Sequence, residues 1–385
     1  MWIERDISDK LRTAARQRPA VVLTGARQAG KTSLLRHLFP DHRFVSLDLP
    51  SVAQEAEQEP DSFLARYLPP LVVDEVQYAP GLFRHLKRAI DADRDRVGQF
   101  ILTGSQKFVL MREVSDSLAG RASVLELDPL SLHEIRTYSS ALKLEDAILR
   151  GGYPELYRQP SLESADFYRS YVTSYLERDL RLQLNVTHLR DFERFLRACA
   201  LRTGQLLNKA ELARDVGISP STANQWLSVL EACNQIALLE PWFSNGSKSM
   251  LKSPKLYFCD TGVLLFLLNI QTWAQLASSP LNGPVWETFV FIELRKRLTL
   301  QNERDSLFFW RDRQVEVDFL IHRGGTFELL EAKWGELMTP REAKQLSAVA
   351  EILGRDKVKR QRIICRTSHP HPVTREVTAD SVDSL

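Results

Sequence analysis

The sequence has few cysteines and no long apolar run. Its cysteines, Cys199, Cys233, Cys259 and Cys365, form no CxxC pair and no cluster with histidine at zinc-ligand spacing. This spacing argues against a disulfide framework or a zinc site and favours small buried thiols in a reducing compartment. No apolar run near a terminus is long enough to span a bilayer, and the N-terminal MWIERDISDK is charged where a signal peptide is apolar. We therefore expect a cytoplasmic protein that does not enter a membrane.

The chain also lacks a large excess of either charge. Its 51 Lys and Arg residues and 49 Asp and Glu residues give a formal net charge of +2, and 44% of all residues are hydrophobic. This composition excludes a disordered chain, a collagen-like chain and a polycationic nucleic-acid coat. At about 150 residues per domain, 385 residues predict two or three domains.

Changes of pattern along the chain predict where these domains lie. Between Pro19 and Pro129, short Val/Ile/Leu-rich runs alternate with helical stretches, which is typical of parallel strands covered by helices. A helical connector follows, then a helix-turn-helix around Gly217, and finally a second region with strand-like runs. The predicted fold class is α/β, and the predicted domains are 1–130, 131–202, 203–245 and 246–385.

A phosphate-binding loop is the most specific motif. The segment GARQAGKT matches G-x-x-x-x-G-K-[ST], follows the apolar run AVVLT and precedes the helical stretch SLLRHLF. Its glycines let backbone N–H groups point at phosphate oxygens, while Lys31 can bridge the β- and γ-phosphates and Thr32 can ligate Mg²⁺. The residues expected to contact ATP are Gly25, Ala26, Arg27, Gln28, Ala29, Gly30, Lys31, Thr32 and Ser33.

Two acidic residues end another predicted buried run, LVVDE. Asp74 is expected to hold Mg²⁺, and Glu75 to orient and polarise water for attack on the γ-phosphate. The following strand, FILTGS, ends in Ser105, whose hydroxyl can hydrogen-bond that water or the γ-phosphate. After a phosphate-binding loop, this pattern predicts hydrolysis rather than passive nucleotide binding.

The helix-turn-helix segment presents polar side chains with little positive charge. Ser219 is the predicted N-cap of its second helix, whose apolar face is Ala223, Trp226, Leu227 and Leu230. Ser221, Asn224, Gln225 and Ser228 are predicted to face outward, and the basic residues around the helix are Lys209, Arg214, Lys248, Lys252 and Lys255. Contact with the DNA backbone and packing against protein both fit this pattern.

A cluster of carboxylates and a lysine is predicted near the C-terminus. The strands VEVDFLI and FELLEAKW, joined by a turn with two glycines, place Asp318 before Glu331 and Lys333, which share one strand face. Upstream, Glu287 lies on the apolar stripe of a helix, whereas Glu293 is predicted to face outward towards Lys296 and Arg297. A carboxylate on a buried face needs a partner, and a metal ion is one. A set of surface salt bridges is the alternative.

The order of the N-terminal elements resembles the AAA+ ATPases. By that resemblance, Ser105 is in the sensor position and Arg121, in SDSLAGRA, is an arginine finger for a neighbouring subunit's nucleotide. Arg178 and Arg181 are candidates for a second sensor. Ion pairs are the alternative for all three arginines. A finger acting between subunits implies a ring of identical chains, expected to be a hexamer, in which hydrolysis depends on assembly.

The C-terminal cluster resembles the PD-(D/E)XK, or restriction-endonuclease-like, fold. Glu287, Asp318, Glu331 and Lys333 match its functional positions, which implies Mg²⁺ held by the carboxylates and an attacking water positioned or activated by Lys333. Over nearly the entire chain, the motifs GGYPE, YLERDL, a winged helix and KSPKLYFCDTG add to this likeness. The whole resembles bacterial and archaeal predicted AAA+ ATPases with a helical and winged-helix middle region and a C-terminal nuclease-like domain.

Three functions remain open at this point. The leading interpretation is an ATP-hydrolysing motor that acts as a ring on branched or non-sequence-specific DNA, in DNA repair or recombination. The second is a nucleotide-dependent switch that binds a protein partner. The third is a metal-dependent DNA endonuclease regulated by ATP.

Overall fold

Residues 2–105, 107–173, 189–243, 253–312 and 315–385 are described by a computed structural model of the chain. Their backbone contacts separate two units. The first comprises Met1–Leu130, Tyr153–Arg158 and Ala232–Asn234, and the second comprises Ser131–Gly152, Gln159–Glu231 and Gln235–Leu385. The four predicted domain ranges stay predictions.

A five-stranded parallel sheet forms the centre of the first unit. Its strands are β1 (Ala20–Gly25), β2 (Arg43–Ser46), β3 (Leu71–Asp74), β4 (Phe100–Thr103) and β5 (Ala122–Leu127). The spatial order is β2-β3-β4-β1-β5, and all neighbouring strands are parallel. Because β1, β3 and β4 are buried along their whole length, their sequences are nearly continuous apolar runs, and the predicted parallel strands are confirmed.

Helices of the first unit accompany this sheet. They include α1 (Ser8–Gln17), α2 (Lys31–Leu38), α3 (Pro50–Gln58), α4 (Pro60–Arg66), α5 (Leu82–Ala92) and α6 (Lys107–Ser117). Phe63 of α4 and Phe83 of α5 are buried in the same cluster as Phe100 of β4. This packing fixes the carboxyl ends of β1, β3 and β4, where the loops that carry the predicted nucleotide site begin.

The second unit opens with helices and a small antiparallel sheet. Helices α7 (Leu132–Tyr138) and α8 (Leu144–Arg150) precede α9 (Pro154–Arg158), which belongs to the first unit; α10 (Ser164–Tyr171), α11 (Leu189–Ala200), α12 (Lys209–Val216) and α13 (Pro220–Ala232) follow. Strands β6 (Gln205–Leu206), β7 (Ile236–Leu239) and β8 (Lys255–Phe258) form a sheet in the order β6-β8-β7. Both of its strand pairs are antiparallel.

The predicted helix-turn-helix segment forms α12 and α13. Gly217 ends α12 with a φ of +84°, a conformation that glycine adopts without strain. The Ser219 hydroxyl caps α13 by accepting a hydrogen bond of 3.0 Å from the Thr222 N–H. The predicted apolar face, Ala223, Trp226, Leu227 and Leu230, is buried, and Ser221, Asn224, Gln225 and Ser228 are exposed, as predicted.

A six-stranded mixed sheet forms the C-terminal part of the second unit. Its strands are β9 (Leu307–Arg311), β10 (Glu316–Arg323), β11 (Thr326–Ala332), β12 (Val358–Ile364), β13 (His371–Pro372) and β14 (Val377–Asp380), in the order β13-β14-β12-β11-β10-β9. Strands β10 and β11 pair as an antiparallel hairpin in which Arg323 faces Thr326. Gly324 and Gly325 form its turn with φ values of +54° and +80°, as a two-residue hairpin turn of this kind requires.

Further helices of the second unit in the described residues are α14 (Thr261–Leu267), α15 (Trp273–Ser278), α16 (Asn282–Leu300) and α17 (Lys344–Leu353). Helix α16 is buried around most of its circumference, so the prediction that Glu293 faces outward is wrong. The Glu293 side chain is only 10% exposed. It lies 3.2 Å from Lys296 Nζ, the neighbour that was predicted, and accepts a 3.0 Å hydrogen bond from the Leu132 N–H. A helix covered on several sides has no polar face for periodicity to detect.

The cysteines are free and buried, as predicted. Burial raises the pKa of the Cys199 thiol well above its usual value, which keeps it protonated and unreactive. Within the part of the chain that the structure describes, no helix combines the length and apolar character needed to cross a membrane.

Candidate functional site

The predicted phosphate-binding loop lies between β1 and the first turn of α2. Gly25 ends β1 with a φ of +140°, and a Cβ added there would lie 2.1 Å from the Leu127 carbonyl oxygen. Gly30 precedes α2 with a φ of +96°. Lys31 folds back over the loop, where its Nζ donates to the carbonyl oxygens of Gly25 at 3.0 Å and Ala26 at 2.9 Å. The loop therefore has the backbone curvature that a phosphate cradle needs.

A buried carboxylate faces this loop from the end of β3. The Thr32 hydroxyl donates to Asp74 Oδ2 at 3.0 Å, and the Thr103 hydroxyl lies 3.2 Å from Asp74 Oδ1. Burial raises the pKa of Asp74, and the hydrogen bonds from both hydroxyls oppose that shift. Mg²⁺ in nucleotide sites takes one or two protein carboxylates together with phosphate oxygens and waters. The oxygen donors of Thr32 and Asp74 fit such an ion.

Glu75 is held in an uncommon backbone conformation beside Asp74. Its φ of +55° and ψ of +45° lie in the left-handed region, which non-glycine residues rarely adopt outside functional sites and turns. The Ser105 hydroxyl donates to Glu75 Oε2 at 3.2 Å, and Gln77 Nε2 donates to the same oxygen. These two donors orient the carboxylate. The structure therefore brings together Thr32, Asp74, Glu75 and Ser105 from three separate segments.

Three residues of this site were missed by sequence reasoning. Thr103 stands two positions before Ser105 in the same motif, so its position at a strand end was a usable signal. Gln77 follows Glu75 in a turn, and a Cβ on Gly104 would lie 2.4 Å from its Oε1. Arg5 donates to the carbonyl oxygens of Ala29 at 2.8 Å and Asp128 at 2.6 Å, and nothing in the sequence indicates that it supports the loop.

Arg121 forms an ion pair within its own chain. Its Nε lies 2.6 Å from Asp91 Oδ1 and its Nη2 lies 2.9 Å from Asp91 Oδ2, a two-point contact at the surface. The pair matches the alternative given for this residue, while its role towards a neighbouring subunit stays a prediction. Arg178 and Arg181 lie outside the described residues.

The predicted C-terminal cluster has an ammonium group at its centre. Lys255 Nζ, on β8, lies 3.0 Å from Glu287 Oε1, 2.8 Å from Glu316 Oε1 and 3.2 Å from Asp318 Oδ1. Lys255 was predicted to be one of the basic residues around the helix-turn-helix, but its side chain is 3% exposed and cannot contact DNA there. Lys209 and Arg214 are exposed, and Lys248 and Lys252 lie outside the described residues.

Glu331 and Lys333 complete this cluster, which we call the Lys255 cluster: Lys255, Tyr257, Glu287, Glu316, Asp318, Glu331 and Lys333. Lys333 Nζ lies 2.7 Å from Glu331 Oε1, and the Asp318 N–H lies 3.4 Å from Glu331 Oε2. Burial, followed by the charge of Asp318, raises the pKa of Glu287 to about 7 and that of Glu331 to about 8. Although burial alone would lower it, the three surrounding carboxylates raise the pKa of Lys255, so it carries a proton.

The Lys255 cluster does not fit a metal ion as it stands. Within the described ranges, no group of three or more His, Cys, Asp or Glu side chains is arranged to hold one. The three carboxylates predicted as metal ligands, Glu287, Asp318 and Glu331, are near one another, but two of them point at Lys255. Sequence reasoning missed the roles of Lys255 and Tyr257, although period two on β8 places both on one face.

The fold and this nucleotide site define a P-loop ATPase domain of the AAA type. Residues 17–136 match the family described as an AAA domain, while 141–274 and 282–382 match domains of unknown function, DUF8612 and DUF4143. The uncharacterized protein Rv2008c of Mycobacterium tuberculosis is 32% identical over 400 residues, covering 100% of this chain and 85% of that protein. This chain belongs to the same protein family as Rv2008c.

Two further proteins are similar to this chain. The uncharacterized protein MJ1544 of Methanocaldococcus jannaschii is 27% identical over 373 residues, which cover 88% of this chain and 80% of that protein. The solved structure of the Walker-type ATPase PABY2304 of Pyrococcus abyssi has 18% sequence identity and a TM-score of 0.47, and covers 69% of this chain and 96% of that one.

Proposed function

We propose that the first unit binds ATP with Mg²⁺ and hydrolyses its terminal phosphate bond. The observation that carries this proposal is the 3.0 Å contact between Thr32 Oγ1 and the buried Asp74 carboxylate, directly beside the strained Glu75. A loop for phosphates, an oxygen pair for Mg²⁺ and an oriented carboxylate are the groups that phosphoryl transfer to water requires. A protein that only binds nucleotide has no need of the last of these.

Each residue has a defined role in this proposal. Backbone N–H groups of the loop bind the phosphates, and the N-terminus of α2 adds positive potential. Lys31 exchanges its bonds to the loop carbonyls for bonds to phosphate oxygens. Thr32 and Asp74 hold Mg²⁺, which supplies charge neutralisation on the phosphates when it is bound. Glu75, oriented by Ser105 and Gln77, directs the attacking water and accepts its proton.

We further propose that hydrolysis serves a motor on branched or non-sequence-specific DNA, assembled as a cytoplasmic ring of identical chains. The exposed polar face of α13, with Asn224 and Gln225, and the exposed Lys209 and Arg214 on α12 support contact with the DNA backbone. A ring suits the near-neutral charge of the chain because several weak contacts add through effective concentration. In the ring, Arg121 leaves Asp91 to contact the neighbouring nucleotide.

An ATPase assay with single-stranded, duplex and four-way DNA tests both levels of this proposal. Glu75→Gln should keep nucleotide binding and lower turnover by about 10²–10⁴-fold, the usual contribution of a general base. Glu59→Gln is the matched control, because Glu59 is an exposed glutamate of the same unit and should leave turnover unchanged.

This assay distinguishes failure of the proposed ATP hydrolysis from failure of the proposed DNA motor. Wild-type turnover equal to that of Glu75→Gln would refute hydrolysis at this site. Turnover that depends on Glu75 but responds to no DNA, in protein with no affinity for DNA, would leave the ATPase standing and refute the motor. The nucleotide-dependent switch would then be the better description, and recovery of a protein partner that is lost in Lys31→Ala would support it.

A further inference from the structure

Each N–H donor of the Lys255 ammonium group has a carboxylate acceptor within its cluster. A lysine ammonium has three N–H donors. Lys255 Nζ has three carboxylate oxygens within 3.2 Å, one each from Glu287, Glu316 and Asp318. These acceptors come from α16 and β10, whereas the lysine comes from β8, so the contact joins three separate elements of the second unit.

The partners of this ammonium are themselves fixed by further bonds. The Tyr257 hydroxyl donates to the same Glu287 oxygen that Lys255 contacts, and the Ala332 N–H donates to Asp318 Oδ2 at 3.0 Å. Glu316 also pairs with Arg311 at 3.3 Å. The carboxylates are therefore held towards Lys255 and are not free to turn towards another cation.

Charge and space both act against a divalent ion here. The four carboxylates of the cluster face two lysines, Lys255 and Lys333, and Glu316 in addition faces Arg311, so little negative charge remains uncompensated. Mg²⁺ demands near-octahedral oxygen ligands at about 2.0–2.1 Å and loses its water reluctantly. The place where oxygens of Glu287 and Asp318 converge is already filled by an ammonium at 3.0 and 3.2 Å.

We propose that Lys255 is a built-in cation that occupies the metal position of the Lys255 cluster, so that this cluster takes up no divalent metal and does not cut DNA. The C-terminal part of the second unit then serves as a metal-independent module, held together by a permanent ion-pair network. This inference concerns the second unit alone and does not depend on ATP hydrolysis in the first.

The proposal predicts that removal of the ammonium creates a metal site. Lys255→Met keeps a long unbranched side chain but leaves three carboxylates facing an uncharged group, which is unfavourable unless a cation or protons replace the ammonium. Without metal, this variant should unfold at lower urea concentration than the wild type. With Mn²⁺, its midpoint should recover, whereas the wild-type midpoint should not move.

Mn²⁺ uptake by the full chain, measured by electron paramagnetic resonance without nucleotide, is the direct test. The wild type should show no uptake that depends on Asp318, so Asp318→Asn should titrate like the wild type. Lys255→Met should bind Mn²⁺ at least about tenfold more tightly than the wild type, and this gain should vanish in Lys255→Met with Asp318→Asn. The double variant is the matched control because it lacks the same lysine.

Two results would overturn the proposal. One is Mn²⁺ uptake by the wild type that Asp318→Asn abolishes, since the cluster would then bind metal with Lys255 in place. The other is Mg²⁺- or Mn²⁺-dependent cutting of DNA by the wild type that Asp318→Asn removes. Both measurements use protein that retains Lys255, so the proposal can be decided even if Lys255→Met does not fold.

Discussion

Replacing Gly262 by alanine should destabilise the second unit strongly. Gly262 lies in the first turn of α14, and a Cβ added there would lie 2.2 Å from Tyr168 Oη and 2.4 Å from its Cζ. The ring cannot move aside cheaply, because Tyr168 is 1% exposed and its hydroxyl lies 2.6 Å from the Arg150 carbonyl oxygen and 3.0 Å from Asp260 Oδ1. The strain must therefore spread into the surrounding core.

The magnitude follows from two costs. Overpacking a well-packed core costs about 1–3 kcal/mol. A displaced Tyr168 hydroxyl also leaves Asp260 with fewer partners, and an unsatisfied buried polar group costs about 1–3 kcal/mol. Asp260 depends on its partners because burial already raises its pKa. We expect Gly262→Ala to lower the free energy of unfolding of the second unit by about 2–6 kcal/mol.

Urea unfolding followed by tryptophan fluorescence measures this loss. All tryptophans except Trp2 lie in the second unit, so the signal reports that unit. With an m value of about 3 kcal/mol per molar urea, the midpoint should fall by about 0.7–2 M. Gly283→Ala is the matched control: Gly283 also lies in the first turn of a helix, and its added Cβ would meet nothing within 4 Å. It should be neutral or slightly stabilising.

A double-mutant cycle isolates the contact. In a Tyr168→Ala background the ring is gone, so the added methyl of Gly262→Ala should cost little. If Gly262→Ala destabilises the protein no more than Gly283→Ala, or equally with and without the Tyr168 ring, the steric reasoning is refuted.

Three further predictions concern the first unit. Gly25→Ala should weaken ATP binding at least about tenfold in a fluorescent-nucleotide titration, because its Cβ would lie 2.1 Å from the Leu127 carbonyl oxygen and reshape the loop. Asp74→Asn should abolish ATPase activity yet raise the free energy of unfolding by about 0.5–2 kcal/mol near neutral pH, as measured in urea. Arg121→Ala should lower turnover about 10³-fold at ring-forming protein concentrations, whereas Asp91→Asn should retain activity.

The pH dependence of stability explains why Asp74→Asn should raise the free energy of unfolding near neutral pH. Burial raises the folded-state pKa of Asp74 above its ordinary 3.8, so the unfolded chain loses this proton first as pH rises. The folded state is then progressively penalised through that window, and the penalty is complete once the folded group has also ionised. The advantage of Asp74→Asn should therefore be absent below pH 3.8 and grow above it. An advantage that is equal at all pH values would contradict this account.

The other two predictions have their own contrary outcomes. Unchanged affinity in Gly25→Ala would mean that the loop accepts a side chain against the Leu127 carbonyl. Unchanged turnover in Arg121→Ala at every protein concentration would show that the arginine serves only its ion pair with Asp91.

The candidate nucleotide site could be proposed from sequence because its residues are close together along the chain. Gly25 to Ser33 are consecutive, and Asp74 and Glu75 end an apolar run, so the strand and its polar terminus appear together. The αL conformation of Glu75 and the reach of Gln77 towards it were not readable, since both depend on how the chain turns after β3. The role of Arg5 could not be predicted, because it donates to the backbone carbonyls of Ala29 and Asp128, which are distant in sequence.

The Lys255 cluster could be predicted only in part, because some of its residues are distant in sequence. Asp318, Glu331 and Lys333 follow from strand alternation in one hairpin, and the structure brings them together. Lys255, in contrast, looked like one of several exposed lysines, because nothing in its own segment says that carboxylates of α16 and β10 will surround it. The prediction for Glu293 was wrong for a similar reason. Its carboxylate accepts a hydrogen bond from the N–H of Leu132, which is remote in sequence. Ion pairs between residues distant in sequence cannot be predicted from hydrophobic periodicity or motif spacing.

The two carboxylate sites of the chain differ in one respect that decides what each can bind. Asp74 accepts hydrogen bonds from the hydroxyls of Thr32 and Thr103, while Lys31, whose charge also acts on Asp74, directs its Nζ to loop carbonyls. Neutral donors leave the pKa of Asp74 raised, and in the proposed mechanism Mg²⁺ bound with ATP compensates the charge of this carboxylate. At Asp318, an ammonium at 3.2 Å already meets that need. Under both proposals, the same physical requirement, compensation of a buried charge, makes one site a place for a metal ion and makes the other independent of it.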